Sequence, residues 1–150
     1  MQHRLHTDID IDAPPEVVWE ILTDLEHYGD WNPFIESASG TVAVGARLSA
    51  RIQPPGGRAM TFKPTVIAAE APTAFGWQGR LGLPGIFDGH HRFELEATPG
   101  GKTHLVHTEQ FSGVLVRFMR TSLDTKTLDG FALMNDALKH RAEARVGRGS

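Results

Sequence analysis

The chain contains no cysteine, no long hydrophobic run and no block of like charge, and each absence excludes a class of protein. Without cysteine there is no disulfide, no thiol nucleophile and no thiolate metal ligand, which fits a reducing compartment. No stretch of about 18 apolar residues occurs, so the sequence predicts no membrane-spanning helix. The N-terminus becomes polar and acidic at once and lacks the apolar segment of a signal peptide. We therefore expect a cytoplasmic protein.

The composition, with 40% hydrophobic and 22% charged residues, is ordinary for a globular protein, and we expect residues 1–150 to form one domain. The formal net charge is −3, whereas a nucleic-acid module would carry a strongly basic face. Nucleic acid is therefore not an expected partner. No residue pattern marks an oligomer interface, so a monomer and a homodimer both stay open.

The N-terminal part of the chain predicts a strand followed by short helices. Leu5, Thr7, Ile9 and Ile11 alternate with polar residues, which is the pattern of a half-buried strand. The segment 14–16, Pro-Pro-Glu, then ends the strand and begins a helix, because proline suits the first helical turn and an acid there complements the helix dipole.

Glycine and proline turns divide the middle of the chain into further strand-like segments. Because the connections are mostly short, neighbouring strands are expected to run antiparallel. With the first strand they predict a seven-stranded sheet. The predicted strands lie near residues 35–43, 46–53, 59–70, 73–80, 87–97 and 102–112.

The C-terminal stretch, about residues 121 to 146, predicts a long amphipathic helix. Leu128, Phe131, Asn135 and Leu138 recur there at steps of three and four and so share one face. The amide in this apolar stripe needs a hydrogen-bond partner or a bound molecule. The order of elements predicts an α+β fold, in which a strongly curved antiparallel sheet wraps around this helix and leaves a cavity between them.

Several segments, in order along the chain, carry a family resemblance. They are residues 11–19 (IDAPPEVVW), 31–34 (WNPF), 85–93 (GIFDGHHRF), 107–113 (HTEQFSG) and 130–139 (GFALMNDALK). Together they resemble the START-like (SRPBCC) superfamily, and most closely its polyketide cyclase/dehydrase-like branch. The resemblance implies the helix-grip fold with a deep hydrophobic cavity, and it places Trp31 near the cavity mouth. Relatives in this superfamily include lipid carriers, hormone receptors, aromatic cyclases and quinone-binding proteins.

The strand near 102–112 carries the best candidates for chemistry. Leu105, His107, Glu109 and Phe111 share one face, which we place inward because its ends are apolar. A carboxylate in an apolar pocket has a raised pKa, and an imidazole titrates near neutrality, so His107 and Glu109 suit acid–base catalysis. The alternative is a structural or ligand-orienting hydrogen-bond network that also includes the amide of the terminal helix.

On the neighbouring strand, Phe93 places His91 on the inward face, so we expect His91 near Glu109 or His107. These three polar residues could offer two nitrogens and an oxygen to a metal ion. Their spacing does not favour that alternative, and we expect neither a metal nor a cofactor.

Aromatic and methionine side chains are expected to form the cavity wall, although an ordinary core would use the same residues. The expected ligand-binding residues are His91, Asn135, Trp77, Trp31, Phe62, Phe93, Phe111, Phe131 and Met134.

Three functions remain open. The first is binding of a small hydrophobic or amphipathic molecule, such as a polyketide, lipid, quinone or aromatic metabolite, between the sheet and the terminal helix. The second is a polyketide cyclase or dehydratase that uses His107 and Glu109 as acid and base. The third is a module that regulates a partner through its surface, which the lack of a charged block disfavours.

Overall fold

A computed structural model describes residues 2–80, 83 and 85–149, over which the chain forms eight strands and three α-helices. Strand β1 spans Gln2–Ile11, helix α1 spans Pro15–Thr23 and a 3₁₀-helix spans Leu25–Asp30. The next strands are β2 (Ile35–Ser39), β3 (Ser49–Ile52), β4 (Met60–Phe62), β5 (Thr65–Glu70), β6 (Ala74–Arg80), β7 (Asp88–Thr98) and β8 (Lys102–Ser112). The C-terminal elements are helix α2 (Val116–Ser122), a π-helical turn (Leu123–Thr127) and helix α3 (Leu128–Gly149).

The strands form two antiparallel sheets, so the expectation of one seven-stranded sheet is wrong. The larger sheet has five strands in the order β1-β8-β7-β6-β5, and the smaller has three in the order β2-β3-β4. The predicted strand 59–70 is in fact two, because Pro64 lies between β4 and β5 and cannot donate to a strand ladder. The predicted strand 35–43 ends at Ser39, where Gly40 takes a positive φ of 125°.

The two sheets are joined along a short stretch of backbone. Val66 N–H donates to the Ala46 carbonyl at 2.8 Å, and Leu48 N–H donates to the Pro64 carbonyl at 2.8 Å. The residues just before β3 therefore pair with the start of β5, while β3 itself turns to pair with β2 and β4. This junction sets the smaller sheet at an edge of the larger one.

The long C-terminal helix packs its apolar stripe on the five-stranded sheet, as the sequence predicts. The buried members of the stripe include Phe131, Met134, Asn135, Leu138 and Ala142. The helical run begins earlier than expected, at residue 116 instead of 121, and continues through the π-helical turn to residue 149. An α+β fold with a long terminal helix on an antiparallel sheet is thus confirmed. Within residues 2–80, 83 and 85–149, no helix is long and apolar enough to cross a membrane.

The start of α3 touches the chain just before the smaller sheet. A Cβ atom at Gly130 would overlap the Phe34 ring, so only glycine allows this approach. The Phe34 ring packs edge-on against Phe131, with centroids 5.5 Å apart. Phe34 therefore links the terminal helix to the smaller sheet and contributes to the wall of the site described next.

Candidate functional site

A cavity of about 420 Å³ opens between the two sheets, beneath α2 and the π-helical turn. This volume lies in the range typical of small-molecule sites. Its wall is mostly apolar and includes Phe34, Ala50, Ile52, Met60, Phe62, Trp77, Phe87, Phe111, Met119 and Leu123. The cavity lies at the start of the predicted helical stretch, at Ser122, Leu123, Lys126 and Thr127, whereas the middle of α3 packs against the larger sheet.

Two glycines on neighbouring strands leave space in the cavity wall, because they have no side chains. Gly79 on β6 and Gly89 on β7 are register partners, and both line the cavity. A Cβ atom at Gly89 would lie 2.5 Å from Oε2 of Glu109, so the missing side chain leaves room for this carboxylate. The Glu109 side chain is 15% exposed and is the one acid among the described lining residues.

From Glu109 inward, five side chains, with Glu109 the first, form a continuous chain of hydrogen bonds. Glu109 Oε1 lies 3.0 Å from Nδ1 of His91, and His91 Nε2 lies 2.6 Å from Nε2 of His107. His107 Nδ1 lies 2.8 Å from Oδ1 of Asn135, whose Nδ2 lies 2.9 Å from Thr7 Oγ1. The Thr7 hydroxyl in turn donates to the His107 backbone carbonyl at 2.9 Å. We call these five residues the relay.

The direction of each hydrogen bond in the relay follows from the bond at its far end, between the Thr7 hydroxyl and the His107 backbone carbonyl. The carbonyl oxygen of His107 can only accept, so the single hydroxyl proton of Thr7 points to it. Thr7 Oγ1 must therefore accept from the amide nitrogen of Asn135, which turns the amide oxygen toward His107. Nδ1 of His107 consequently carries a hydrogen and donates it to Asn135.

The other ring nitrogen of His107 carries no proton. Burial lowers the pKa of the His107 imidazole well below its ordinary value, and the neighbouring His91 lowers it further against the opposing effect of the Asn135 hydrogen bond. Because neutral His107 is protonated on Nδ1, its Nε2 accepts, and His91 Nε2 must donate.

One further proton lies between His91 and Glu109. It sits either on Nδ1 of His91, facing a carboxylate, or on Oε1 of Glu109, facing a neutral imidazole. In both states Oε2 of Glu109 is only an acceptor, and it is the oxygen on the Gly89 side of the cavity. The relay thus presents a single hydrogen-bond acceptor to whatever occupies the apolar space.

Aromatic rings fix both imidazoles in place. His91 stacks on Trp77 with centroids 4.6 Å apart, and His107 stacks between Phe131 at 4.1 Å and Phe93 at 4.3 Å. His91 is 1% exposed and His107 is fully buried. This packing excludes water from the His107 imidazole and explains its lowered pKa.

The predicted site residues divide between the cavity wall and the layer behind it. Those that line the cavity are Glu109, His91, Trp77, Phe62 and Phe111. Those that do not line it are His107, Asn135, Trp31, Phe93, Phe131 and Met134. His107 and Asn135 are separated from the space by His91 and Glu109, and Trp31 packs edge-on against Tyr28 at 5.3 Å. Their assigned roles in binding or catalysis stay predictions.

Sequence reasoning did not name Thr7 or Gly89 as site residues, and it did not predict a separate smaller sheet, although it named Phe62 of β4. Thr7 is a polar residue between the apolar Leu5 and Ile9 on one face of β1, which is the same kind of signal that singled out Asn135 in α3. Gly89 gave no signal, because the space it leaves depends on the strand opposite. Among the residues that the structure describes, no group of three or more potential ligands is arranged to hold a metal ion.

Residues 2–143 match the family described as polyketide cyclase / dehydrase and lipid transport, so the chain belongs to this family and the resemblance is confirmed. No curated protein matches the chain significantly.

Solved structures share the fold at low sequence identity. An aromatase/cyclase from a Streptomyces species is 17% identical with a TM-score of 0.79, and the alignment covers 97% of this chain and 96% of that one. Norcoclaurine synthase of Thalictrum flavum, a point mutant with a transition-state analogue, is 15% identical with a TM-score of 0.74 over 97% and 96%. A Thermus thermophilus protein is 17% identical with a TM-score of 0.74 over 95% and 99%.

Proposed function

We propose that the protein binds a small apolar or amphipathic molecule in the cavity and orients it through a hydrogen bond to Glu109. The observation that carries this proposal is the acceptor oxygen Oε2 of Glu109, the one acid among the described lining residues of a mostly apolar wall. Sites of this kind enclose an apolar body and fix its orientation with a few polar groups. A ligand hydroxyl or phenol is the matching donor.

Membership in the family supports the same class of ligand. Its description includes polyketide cyclases, dehydrases and lipid transport, so we expect a polyketide, a lipid, a quinone or an aromatic metabolite. Trp77, Phe62, Phe87 and Phe111 line the space and favour an aromatic or planar body.

Calorimetric titration with naphthalene and 2-naphthol tests this function, since the two probes differ by one hydroxyl. We expect 2-naphthol to bind about tenfold more tightly, as one additional hydrogen bond of about 1.4 kcal/mol implies. Glu109→Leu should remove this preference, and Glu94→Gln, on the solvent side of β7, should leave it unchanged. Equal affinities for the two probes, or no saturable binding of either, would exclude the proposed function.

A second candidate is a cyclase or dehydratase reaction, favoured by the proton held between Glu109 and His91. In an aldol-type cyclisation, the Glu109 carboxylate would take the proton next to one carbonyl at Oε2 while Nδ1–H of His91 donates to Oε1. The resulting enolate would attack a second carbonyl of the same molecule, and the proton on Oε2 would pass to the alkoxide that forms. His107 would act through His91, because it does not reach the cavity. The pair in contact with substrate would therefore be Glu109 and His91.

The two candidates differ in what Glu109→Gln changes. An enzyme loses conversion of a linear poly-β-ketone with the amide variant while it still binds 2-naphthol. A pure binder shows no conversion even in the wild type. If Glu109→Gln and His107→Ala alter only the free energy of unfolding, neither role of the relay is supported.

A further inference from the structure

Three cationic residues line the cavity, each on a different element. Arg58 lies in the turn between β3 and β4, Arg80 ends β6, and Lys126 lies in the π-helical turn. All three are exposed, whereas His91 is buried and Glu109 is largely buried. The cations therefore mark the opening of the cavity, and the acceptor of the relay marks its inner end.

Among the described residues, two of these cations have no counterion. Arg80 is paired with Asp88 at 3.3 Å. Within residues 2–80, 83 and 85–149, neither the Arg58 nor the Lys126 side chain makes an ion pair or a hydrogen bond. They project from the smaller sheet and from the helical run, which are different walls of the same space. An anion at the opening could contact both.

Hydroxyl groups accompany Lys126. Ser122 and Thr127 also line the cavity, and Ser122 lies one helical turn before Lys126, so both side chains are on the same side of the helical run. Hydroxyl and ammonium donors together suit a carboxylate or phosphate oxygen.

The inner end of the cavity, at Glu109, favours a hydrogen-bond donor and disfavours an anion. Oε2 of Glu109 is only an acceptor in both protonation states of its pair with His91, so an anionic group placed there would face an oxygen without a proton between them. The charge distribution thus favours one orientation, with the apolar body and any hydroxyl inward and a negative group at the opening.

Building on the proposed binding function, we infer that the ligand is an amphipathic anion whose acidic group sits at the opening between Arg58 and Lys126. The apolar body fills the aromatic wall, and an acid of this kind binds better than its neutral ester. The class includes fatty acids, aromatic carboxylic acids and phosphorylated apolar molecules.

Calorimetric titration with 2-naphthoate and methyl 2-naphthoate tests the inference, because the probes share one body and differ in charge. Each partly exposed cation should contribute about two- to fivefold to affinity, so the acid should bind about tenfold more tightly than the ester. Arg58→Gln and Lys126→Gln should each reduce the preference, and the double variant should abolish it. Added salt should weaken acid binding and leave ester binding unchanged.

Lys63→Gln is the matched control, since Lys63 is an exposed cation that does not line the cavity. It should keep the full preference for the acid. Equal binding of acid and ester by the wild type, or a preference that survives in the double variant, would overturn the inference. If 2-naphthol still binds in that case, the proposed function stands; if none of the naphthalene probes binds, both fail.

Discussion

At the scale of single residues, the relay has a defined direction because it ends on a backbone carbonyl. Reversing the Asn135 amide would leave the Thr7 hydroxyl with two acceptors and one proton. The cost of such an unsatisfied buried group is about 1–3 kcal/mol, which is enough to hold one arrangement. Nε2 of His107 is therefore a fixed acceptor for Nε2 of His91.

This direction predicts the tautomer of His107. The imidazole should carry its hydrogen on Nδ1 at neutral pH, with Nε2 unprotonated. Long-range ¹H–¹⁵N correlation NMR distinguishes the two ring nitrogens by their chemical shifts. Thr7→Val should remove the constraint on the Asn135 amide and allow the other tautomer to appear. A wild-type His107 protonated on Nε2 would show that the assigned direction is wrong.

The lowered pKa of His107 predicts that the protein loses stability in acid. In the unfolded chain this imidazole titrates near 6.5, while burial in the native protein lowers its pKa well below that value. Between the two values the unfolded chain binds a proton that the native protein excludes. The free energy of unfolding should thus fall as the pH decreases below about 6.5, by up to about 1.4 kcal/mol per pH unit.

Urea denaturation of the wild type and of His107→Gln at several pH values measures this contribution. The pKa values of His27 and His104 are raised by hydrogen bonds to Asp24 and Asp10, which gives a pH dependence of opposite sign. Those groups are present in both proteins, so they cancel in the difference. Parallel pH profiles for the two proteins would contradict the assignment to His107.

Gly89 gives a separate test of the position of the Glu109 carboxylate. Gly89→Ala places a Cβ atom 2.5 Å from Oε2, and the flexible carboxylate should rotate away at a small cost in stability. The preference for 2-naphthol over naphthalene should fall accordingly. Gly79→Ala is the matched control, because its Cβ atom would meet Pro64 at an ordinary 3.7 Å and leave the carboxylate in place. The same loss in both variants would contradict the assigned position.

The inward residues of β7 and β8 were predictable, and their roles were not. Period-two alternation places His91, His107 and Glu109 on one face, and antiparallel register brings them together. The predicted acid–base pair, His107 and Glu109, lacks direct contact because His91 lies between the two side chains. The sequence does not show this order. That order depends on the register, in which His91 faces Glu109 and Phe93 faces His107.

At the scale of elements, the helices and most strands follow the local pattern, and the division into two sheets does not. The 59–70 segment alternates like one strand, but its two halves pair with different neighbours, β3 and β6. The division of this segment between two sheets depends on residues 45–48. They pair with the edge of β5, and β4 pairs in the smaller sheet instead. Such pairing is non-local, so composition and periodicity cannot predict it.

The contact between α3 and Phe34 predicts a strong effect of one added methyl group. Gly130→Ala should destabilise the protein by about 1–3 kcal/mol through overpacking, although alanine favours a helix by about 1 kcal/mol over glycine. Phe34→Leu should reduce this cost in the double variant, and urea denaturation measures both. Gly147→Ala, where a Cβ atom meets nothing within 4 Å, should not destabilise α3. An equal effect of the two glycine substitutions would contradict the contact.

At the scale of the whole molecule, the close-packed core and the cavity lie in different parts of the fold. The stripe of α3 and the larger sheet form a close-packed core in which Phe131, Met134 and Leu138 are fully buried. The smaller sheet forms one wall of the cavity, and α2 and the π-helical turn contribute to its lining. A ligand can therefore enter without disturbing the packing of α3.

The central claim is that this cavity binds a ligand, and Ile52→Trp tests it most directly, because the indole should fill the space from β3. Ile67→Trp, on β5 and outside the lining, is the control. The measurement is the free energy of unfolding in urea with 2-naphthol at about 100 times its Kd. The wild type and Ile67→Trp should gain about 2.7 kcal/mol, and Ile52→Trp should gain nothing. No gain in the wild type, or an equal gain in Ile52→Trp, would contradict the account.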